Sequence, residues 1–346
     1  MSACCERNGS NMENTKHVTM KDVAQSLNVS VTTISKVING HKDISEKTKD
    51  EVWAKINEMG YTPNFLAANL RRNSSNVVAL VLSDISKPYF SKVIQGYEET
   101  LNAAGYHMMV FSSMEQSKKE ESLLNQIASL NIAGIIIDPA QNSDIEKKAL
   151  KGTGIPYVFS NRFLDSEMDF YVAADNEKAG YTATKHLLER KPGKPVYIVN
   201  TPDNISPTID RFKGYCKAMA EANMPILDHY ILSNNFNLED AYRAGTSIAK
   251  ELQSECSVFC STDQLAIGVM RALLDSGIAV PDQVGIIGVD GIDVSAYLSP
   301  ALTTVALPQK SIGQKSAEML IKLIEGQELD EYRILLDPEL IVRATT

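Results

Sequence analysis

The sequence predicts a small all-α head followed by an α/β body of two doubly wound lobes. Three features of the 346 residues lead to this division. Three short segments near the N-terminus have helical periodicity, the rest of the chain alternates short apolar runs with helix-like segments, and the charge differs between the two parts. At about 150 residues per domain, the length allows two or three domains.

The composition suits a protein without membrane spans. Hydrophobic residues make up 44% of the chain and charged residues 22%. No apolar run approaches the roughly 18 residues that a membrane-spanning helix requires. Residues 1–17 are polar and lack the apolar stretch of a secretory signal. We therefore expect these residues to form a disordered tail, and we expect the protein to be cytoplasmic.

Cysteine and histidine spacing gives no indication of a metal or a cofactor. Cys256 and Cys260 have three residues between them and border an apolar run, which favours buried reduced thiols over a metal or redox pair. The other cysteines show no metal-type spacing, and the five histidines are scattered along the chain. We expect neither a metal nor a cofactor.

The charge is distributed unevenly. The net charge is −9, which taken alone disfavours nucleic-acid binding. Lys and Arg slightly outnumber Asp and Glu over residues 17–72, however, whereas residues 73–346 are strongly acidic. A DNA-binding hypothesis therefore concerns the N-terminal segment alone.

Residues 18–62 carry the helical pattern of the head. One face of each of three segments is apolar, at Val23, Ala24 and Leu27, at Ile34, Val37 and Ile38, and at Val52, Ile56 and Met59. Thr19 and Ser30 are suited to cap the first two helices, and Asn28 tolerates the left-handed conformation expected at the turn between them. Gly60 ends the third helix.

Three short helices around one core match the helix-turn-helix arrangement, in which the second helix enters the major groove of DNA. That helix would present an outward face of polar and small residues, namely Val31, Thr32, Thr33, Ser35 and Lys36. An ordinary helical hairpin produces a similar pattern, so both interpretations stay open on this segment alone.

The body alternates predicted strands and helices, which indicates parallel sheets covered by helices on both faces. Strands are predicted at 77–82, 108–111, 134–137, 157–159, 196–199, 230–232, 258–260 and 284–289. Helices are predicted at 90–104, 118–130, 176–189, 208–222, 238–251 and 263–275. Two such lobes should bind a small molecule between them, at the carboxyl ends of the strands.

The residues also carry a resemblance to a known family. The stretches VTMKDVAQSLNVSVTTISKVING, GYTPNFLAANLRR, STDQLAIGVMRALLDSGIAVPDQVGIIGVD and DPELIVRATT resemble successive blocks of the LacI/GalR (lactose repressor and galactose repressor) family. The resemblance covers residues 18–346. Two departures are Asn28, where a glycine is common at the turn, and residues 191–195, where a Gly-His stretch is usual.

The resemblance implies a domain organisation. Residues 18–62 form the helix-turn-helix head, 63–74 a hinge helix, and 75–346 a periplasmic-binding-protein-like body for effector binding and dimerisation. The chain crosses between the lobes three times. Lobe one takes about 75–160 and 292–324, and lobe two about 161–291 and 325–346.

Candidate effector-binding residues follow the predicted strands: Asp84, Tyr89, Phe90, Asp175, Arg211, Thr262 and Asp290. The resemblance assigns Arg211 to an effector-clamping arginine and Asp290 to a carboxylate that accepts ligand hydroxyls. The rings of Tyr89 and Phe90 suit stacking on a sugar face or a base. An arginine that faces a carboxylate and aromatic rings suits a polyhydroxylated ligand. Structural alternatives stay open, because Asp175 and Asp263 also suit helix caps and Phe90 suits a core.

The resemblance likewise implies DNA contacts. Base edges would be met by Val31, Thr32 and Lys36, and phosphates by Ser30, Ser35 and Asn39. Leu70 would be the apolar wedge in the minor groove at the operator centre. The other implied DNA-binding positions are Thr19, Asn64 and Ala67.

Three classes of function fit the predicted fold: an effector-responsive transcriptional regulator, an α/β enzyme, and a solute-binding protein. The sequence has no Walker phosphate loop, no Gly-x-Gly-x-x-Gly, no Gly-x-Ser-x-Gly and no His-Glu-x-x-His motif, which disfavours an enzyme. The attached head and the missing export signal disfavour a solute-binding protein for transport. We therefore predict a regulator, by its resemblance a repressor, that binds a near-palindromic operator and responds to a sugar-like effector. No leucine heptad follows Arg343, which favours a homodimer over a tetramer.

Overall fold

The computed structural model describes residues 18–38, 43–61, 75–141, 144–164, 169–202, 204–233 and 237–346. The chain divides into two compact units, Met1–Asn73 and Ser74–Thr346, which we call the head and the body. The expected tail at 1–17 and the expected hinge helix at 63–74 lie outside the described residues, as do Asn39, Asn64, Ala67 and Leu70.

The head contains the three helices expected from the sequence, α1 (Met20–Ser26), α2 (Val31–Ile38) and α3 (Glu46–Met59). Their apolar faces meet in one small core, whose buried members are Val23, Ala24, Ile34, Val37, Val52 and Ile56. Such short helices are marginal in isolation, so the shared core stabilises all three.

The helix ends of the head confirm the end signals in the sequence. The Thr19 hydroxyl accepts the Asp22 N–H at 3.3 Å and the Asp22 carboxylate accepts the Thr19 N–H at 2.8 Å, a reciprocal capping box. Ser30 Oγ accepts the Thr33 N–H at 3.0 Å. Asn28 has a φ of 53° and Gly60 a φ of 64°, the left-handed conformation that ends a helix.

The body contains two six-stranded sheets. The first has the order β11-β5-β4-β3-β1-β2 and is parallel throughout, with β1 Val77–Leu82, β2 His107–Ser112, β3 Gly134–Ile137, β4 Tyr157–Ser160, β5 Tyr171–Ala174 and β11 Arg333–Leu336. The second has the order β12-β10-β9-β8-β6-β7, with β6 Val196–Asn200, β7 Ile231–Ser233, β8 Cys256–Cys260, β9 Val284–Asp290, β10 Thr303–Ala306 and β12 Glu339–Ile341. Only β12 is antiparallel to its neighbour among these pairs.

Helices cover the faces of both sheets. The helices of the body are α4 Phe90–Ala103, α5 Ser117–Ser129, α6 Asp144–Thr153, α7 Asn176–Arg190, α8 Ser206–Glu221, α9 Leu238–Glu251, α10 Asp263–Asp275 and α11 Gln309–Ile324. The predicted α/β class is therefore confirmed. No helix in the described part of the chain is long and apolar enough to span a membrane.

The lobe boundaries differ from those expected. Strand β5 pairs with β4 and β11 in the first sheet, so the first crossing follows Ala174 rather than residue 160. Strand β10 pairs with β9 in the second sheet, so the return to lobe one follows Ala306 rather than residue 291. Strand β11 belongs to lobe one, although 325–346 was assigned to lobe two. Strands of four residues carry too little pattern to reveal their sheet, because pairing is decided by distant neighbours.

Glycines allow two helix pairs of the body to pack closely. A Cβ on Gly180 of α7 would lie 2.1 Å from the carbonyl oxygen of Arg211 in α8, and a Cβ on Gly214 would lie 2.1 Å from that of Glu177. Gly96 in α4 and Gly313 in α11 meet in the same way in the other lobe. The close contact at Gly180 and Gly214 sets the position of α8, and with it Arg211, relative to the second sheet.

Candidate functional site

A crevice lies between the two lobes of the body, at the carboxyl ends of their strands. Its empty volume, with the open space at the mouth included, is about 610 Å³. Crevices at the carboxyl ends of parallel strands are where small molecules bind in such folds. Lobe one lines it with Lys87, Pro88, Tyr89, Phe90, Asn161 and Arg162. Lobe two lines it with Thr201, Ile205, Pro207, Thr208, Arg211, Thr262, Gln264, Asp290 and Ile292.

Arg211 projects from α8 into this crevice and is held by three partners. Its Nε donates to Asn176 Oδ1 at 2.9 Å, and its Nη1 donates to the carbonyl oxygen of Ser261. Its Nη2 lies 3.5 Å from Asp290 Oδ1. The guanidinium is buried, so these contacts fix its plane before any ligand arrives.

Asp290 ends β9 with a backbone that a non-glycine residue seldom adopts, a φ of 122°. Its carbonyl oxygen accepts from Gln309 Nε2 at 2.7 Å and from the Leu307 N–H at 3.2 Å, which offsets the strain. Burial raises the pKa of its carboxyl to about 6, against the opposing effect of Arg211. Strained residues of this kind concentrate at functional sites.

Asp263 lies directly behind Asp290 and is fully buried. Its carboxyl accepts from the Thr304 hydroxyl at 2.6 Å and from the Ile292 N–H at 2.9 Å. Burial, and then the neighbouring Asp290, raises its pKa to about 7. The expected alternative, that Asp263 caps its helix, is wrong: Thr262 caps α10 by accepting the Leu265 N–H at 3.1 Å.

Lobe one supplies a buried cluster of charges that the sequence analysis missed. Arg162 makes two hydrogen bonds of 2.8 Å to Glu115, and its Nε lies 3.6 Å from Asp138 Oδ1. Lys87 also pairs with Glu115. Burial lowers the pKa of Lys87 and raises that of Asp138. Arg162 lies two residues after the end of β4, so its position near a strand end was the available signal.

The two aromatic candidates have different environments. Phe90 is almost fully buried and packs edge to face on Tyr89, with 5.3 Å between ring centroids, so packing in the core is its main role. The Tyr89 hydroxyl is also buried, yet it has no hydrogen-bond partner among the residues that the structure describes. A buried hydroxyl without a partner is costly, which marks it as a group for a ligand to satisfy.

Asp84 and Asp175 are not among the residues that line the crevice. Asp84 accepts from the N–H and the hydroxyl of Ser86 at 2.9 and 2.7 Å, closing its own loop. Asp175 accepts the Lys178 N–H at 2.8 Å and caps α7 at the first lobe crossing. A short carboxylate just after a strand readily accepts from the backbone N–H groups that follow it, and both aspartates do so. An effector contact by either residue stays a prediction.

The outward face of α2 carries the candidate DNA contacts of the head. Val31 and Thr32 are exposed, and Lys36 pairs with Asp43 at 2.5 Å. Thr19 and Ser30 remain exposed, although their hydroxyls also serve as helix caps. An exposed apolar residue beside a hydroxyl and a cation suits the edges of base pairs.

Comparisons with known proteins match both units. Residues 19–64 match the family described as bacterial regulatory proteins, lacI family, and residues 184–346 match the periplasmic binding protein-like domain. The HTH-type transcriptional repressor PurR of Vibrio parahaemolyticus is 30% identical over 328 residues, which cover 94% of this chain and 98% of that protein. The chain belongs to the LacI family.

Other LacI-family proteins are similar over nearly the whole chain. The NTD biosynthesis operon regulator NtdR of Bacillus subtilis is 30% identical over 329 residues, covering 95% of this chain and 99% of that protein. The structure of a CelR–cellobiose complex is 26% identical with a TM-score of 0.74 and covers 95% of this chain and 100% of that chain. The Lac repressor dimer bound to operator and the anti-inducer ONPF is 22% identical with a TM-score of 0.84, covers 95% and 99%, and shows the fold alone.

The predicted function is thus confirmed at the level of the LacI family: a DNA-binding transcriptional regulator with an effector-binding body. The similar proteins are repressors and regulators, consistent with a regulator rather than an enzyme.

The LacI-family body is expected to lose stability as the pH rises from about 4 to 7, through Asp263. An unfolded aspartate has a pKa near 3.9, whereas Asp263 has a pKa of about 7. In that window the folded state keeps a proton that the unfolded state releases. The stabilisation is therefore complete below about pH 4 and lost as the pH rises through 7, at about 1.4 kcal/mol per unit of pKa difference.

Asp263→Asn tests this, because an amide stays uncharged and can donate to Thr304 while accepting from Ile292. Melting temperatures measured between pH 5 and 8 should fall less for the variant than for the wild type. Asp275→Asn at the other end of α10 is the matched control. Parallel pH profiles for the wild type and Asp263→Asn would contradict the assignment.

Proposed function

We propose that the crevice binds a small polyhydroxylated effector, a sugar or a sugar derivative, and that binding changes the affinity of a homodimer for a near-palindromic operator. The observation that carries this is the pairing of Arg211 with the strained carboxylate of Asp290 in the crevice between the two lobes. The CelR–cellobiose complex, a family member of similar structure with a sugar bound, supports the sugar class.

The polar groups of the crevice suit ligand hydroxyls. A hydroxyl both donates and accepts, so it can donate to Asp290 and accept from the guanidinium of Arg211 at the same time. The Tyr89 hydroxyl offers a further partner on the opposite lobe. A ligand that joins Tyr89 to Asp290 would favour the closed arrangement of the lobes, which is the differential contact that coupling requires.

Among the candidate effector-binding residues, we assign direct ligand contacts to Tyr89, Arg211 and Asp290. Phe90 and Thr262 contribute shape to the crevice, since Phe90 packs in the core and the Thr262 hydroxyl accepts from Leu265. We further propose that the protein releases the effector chemically unmodified, as a regulator and not an enzyme, and that it acts in the cytoplasm, where its operator lies. We also propose that Leu70 is the wedge inserted into the minor groove.

Lys36→Ala is expected to weaken binding to the preferred operator by about 1–3 kcal/mol and to relax preference at one base pair in each half-site. Lys36 lies on the outward face of α2, and its ammonium can leave Asp43 for guanine acceptors. Operator titrations against a panel of single-base variants measure the effect. Lys55→Ala, which removes a cation of α3 from its pair with Glu58, is the control.

Two outcomes would count against this role for Lys36. Equal weakening on every sequence would make Lys36 a phosphate contact, and unchanged binding would contradict the placement of α2 in the major groove.

The effector proposal is tested separately by a thermal-shift screen of sugars on the full chain, followed by operator titration with each hit. A hit that stabilises the protein without changing operator affinity would contradict the coupling.

A further inference from the structure

We propose that the effector is uncharged, carrying neither a phosphate nor a carboxylate group. This deepens the proposed function and rests on it, because it takes the crevice as the effector site. The ground for it is charge balance: each cation lining the crevice in the described part of the chain already faces a carboxylate of the protein.

In lobe one, two cations share two carboxylates. Arg162 is nearly fully buried and forms a two-point pair with Glu115, and it lies 3.6 Å from Asp138. Lys87 pairs with the same Glu115 from the loop after β1. Arg162 Nη1 also donates to the carbonyl oxygens of residues 139 and 140 at 3.0 and 3.2 Å. The cationic groups are therefore committed to partners within the protein.

In lobe two, one cation faces one carboxylate. Arg211 faces Asp290 at 3.5 Å, and its other two nitrogens donate to Asn176 and Ser261. Asp263 stands behind Asp290 as a further buried carboxyl. Each positive charge of the crevice thus has a negative counterpart, and a second carboxyl remains on this side.

The amino end of α10 offers no compensation. Anions favour free N–H groups at a helix start. At α10 the Thr262 hydroxyl takes the Leu265 N–H, and the carboxyl of Asp263 already occupies the first turn.

Burying a phosphate here would therefore place its charge beside carboxylates with no free cation. Such a group pays a large desolvation cost that only a dedicated cation or donor set can offset. An uncharged ligand rich in hydroxyls has a far smaller desolvation cost, and it can still form hydrogen bonds with Asp290, Arg211 and Tyr89. The crevice therefore selects a free sugar over its phosphate.

Matched probes test the selection on the full chain at constant ionic strength. Glucose, ribose, their phosphates and inorganic phosphate are compared by calorimetry and thermal shift. We expect no saturable binding of inorganic phosphate or of either sugar phosphate to the wild type. A sugar phosphate that binds in the crevice more tightly than its parent sugar would overturn the inference while leaving the effector site in place.

A charge variant tests the cause. Glu115→Gln removes the carboxylate that Lys87 and Arg162 share, and we expect inorganic phosphate, which does not saturate the wild type, to show saturable binding to this variant because a charge-assisted hydrogen bond becomes available. Glu99→Gln removes a carboxylate from an exposed pair with Lys310 and is the control, with no gain expected. Circular dichroism checks that each variant is folded.

Asp290→Asn provides the same test in lobe two, by freeing Arg211, and it stands in if Glu115→Gln does not fold. A folded variant that binds phosphate no better than Glu99→Gln would overturn the charge-balance argument. If no sugar binds the wild type, the sugar proposal fails. The phosphate titrations of wild type and variants still decide the charge inference, so the two failures are distinguishable.

Discussion

Gly180→Ala is expected to destabilise the body by about 1–3 kcal/mol, although alanine is the better helix former by about 1 kcal/mol. The added Cβ would stand 2.1 Å from the carbonyl oxygen of Arg211 and 2.8 Å from its Cα. Both atoms are backbone of α8, so a side-chain rotation cannot relieve the overlap. The helices must separate, and the contacts between them are lost.

The same change should weaken effector binding, because moving α8 shifts Arg211 relative to Asp290, 3.5 Å away. Gly152→Ala is the matched control, since Gly152 lies in α6 and its Cβ would meet nothing within 4 Å. Thermal or denaturant unfolding measures both variants. Gly152→Ala should be neutral or stabilising, and a Gly180→Ala protein as stable as that control would refute the close packing of α7 on α8.

Local signals in the sequence predicted much of this fold. Helix ends depend on residues within a few positions of one another, so the local sequence reveals them. Examples are the caps Thr19 and Ser30, the left-handed Asn28 and the helix end at Gly60. Helices α9 and α10 have the predicted bounds for the same reason, since an amphipathic face repeats over three turns or more.

Non-local pairing was less predictable. Strands β10 and β11 have four residues each, and which lobe they join depends on the neighbour they pair with rather than on their own pattern. The charge cluster of lobe one was missed for a similar reason. Glu115 and Arg162 are 47 residues apart and meet only because β2 and β4 end at the same edge of one sheet.

The division among the candidate site residues follows the same physics. Arg211 and Asp290 face each other as expected, because a long cation and a strand-end carboxylate can meet across the crevice. Asp84 and Asp175 are instead satisfied by N–H groups two or three residues away. A carboxylate at a strand end with no such local partner is therefore the stronger candidate for a ligand.

Arg211→Ala is expected to cost the body about 3–5 kcal/mol at neutral pH and to abolish the effector's influence on operator affinity. The truncation leaves the Asn176 amide oxygen, the Ser261 carbonyl oxygen and the Asp290 carboxylate without their cation. Removing one partner of a buried pair costs this much because the other charge stays buried. Lys213→Ala, two residues further along α8 in a more exposed pair with Asp210, is the control.

The pH dependence of this loss identifies its cause. Without Arg211, the pKa of Asp290 should rise above its value of about 6, because burial then acts unopposed by the guanidinium. A raised pKa in the folded state gives stability that is present at low pH and lost as the pH rises through it. The difference in melting temperature between Arg211→Ala and the wild type should therefore be smaller at pH 5 than at pH 8. Adding Asp290→Asn should recover part of the loss at pH 8, since the stranded charge is gone. Two outcomes would show that the Arg211–Asp290 pair does not couple ligand binding to the fold. In the first, the double variant loses as much stability as the two single variants together. In the second, the effector still changes the operator affinity of Arg211→Ala.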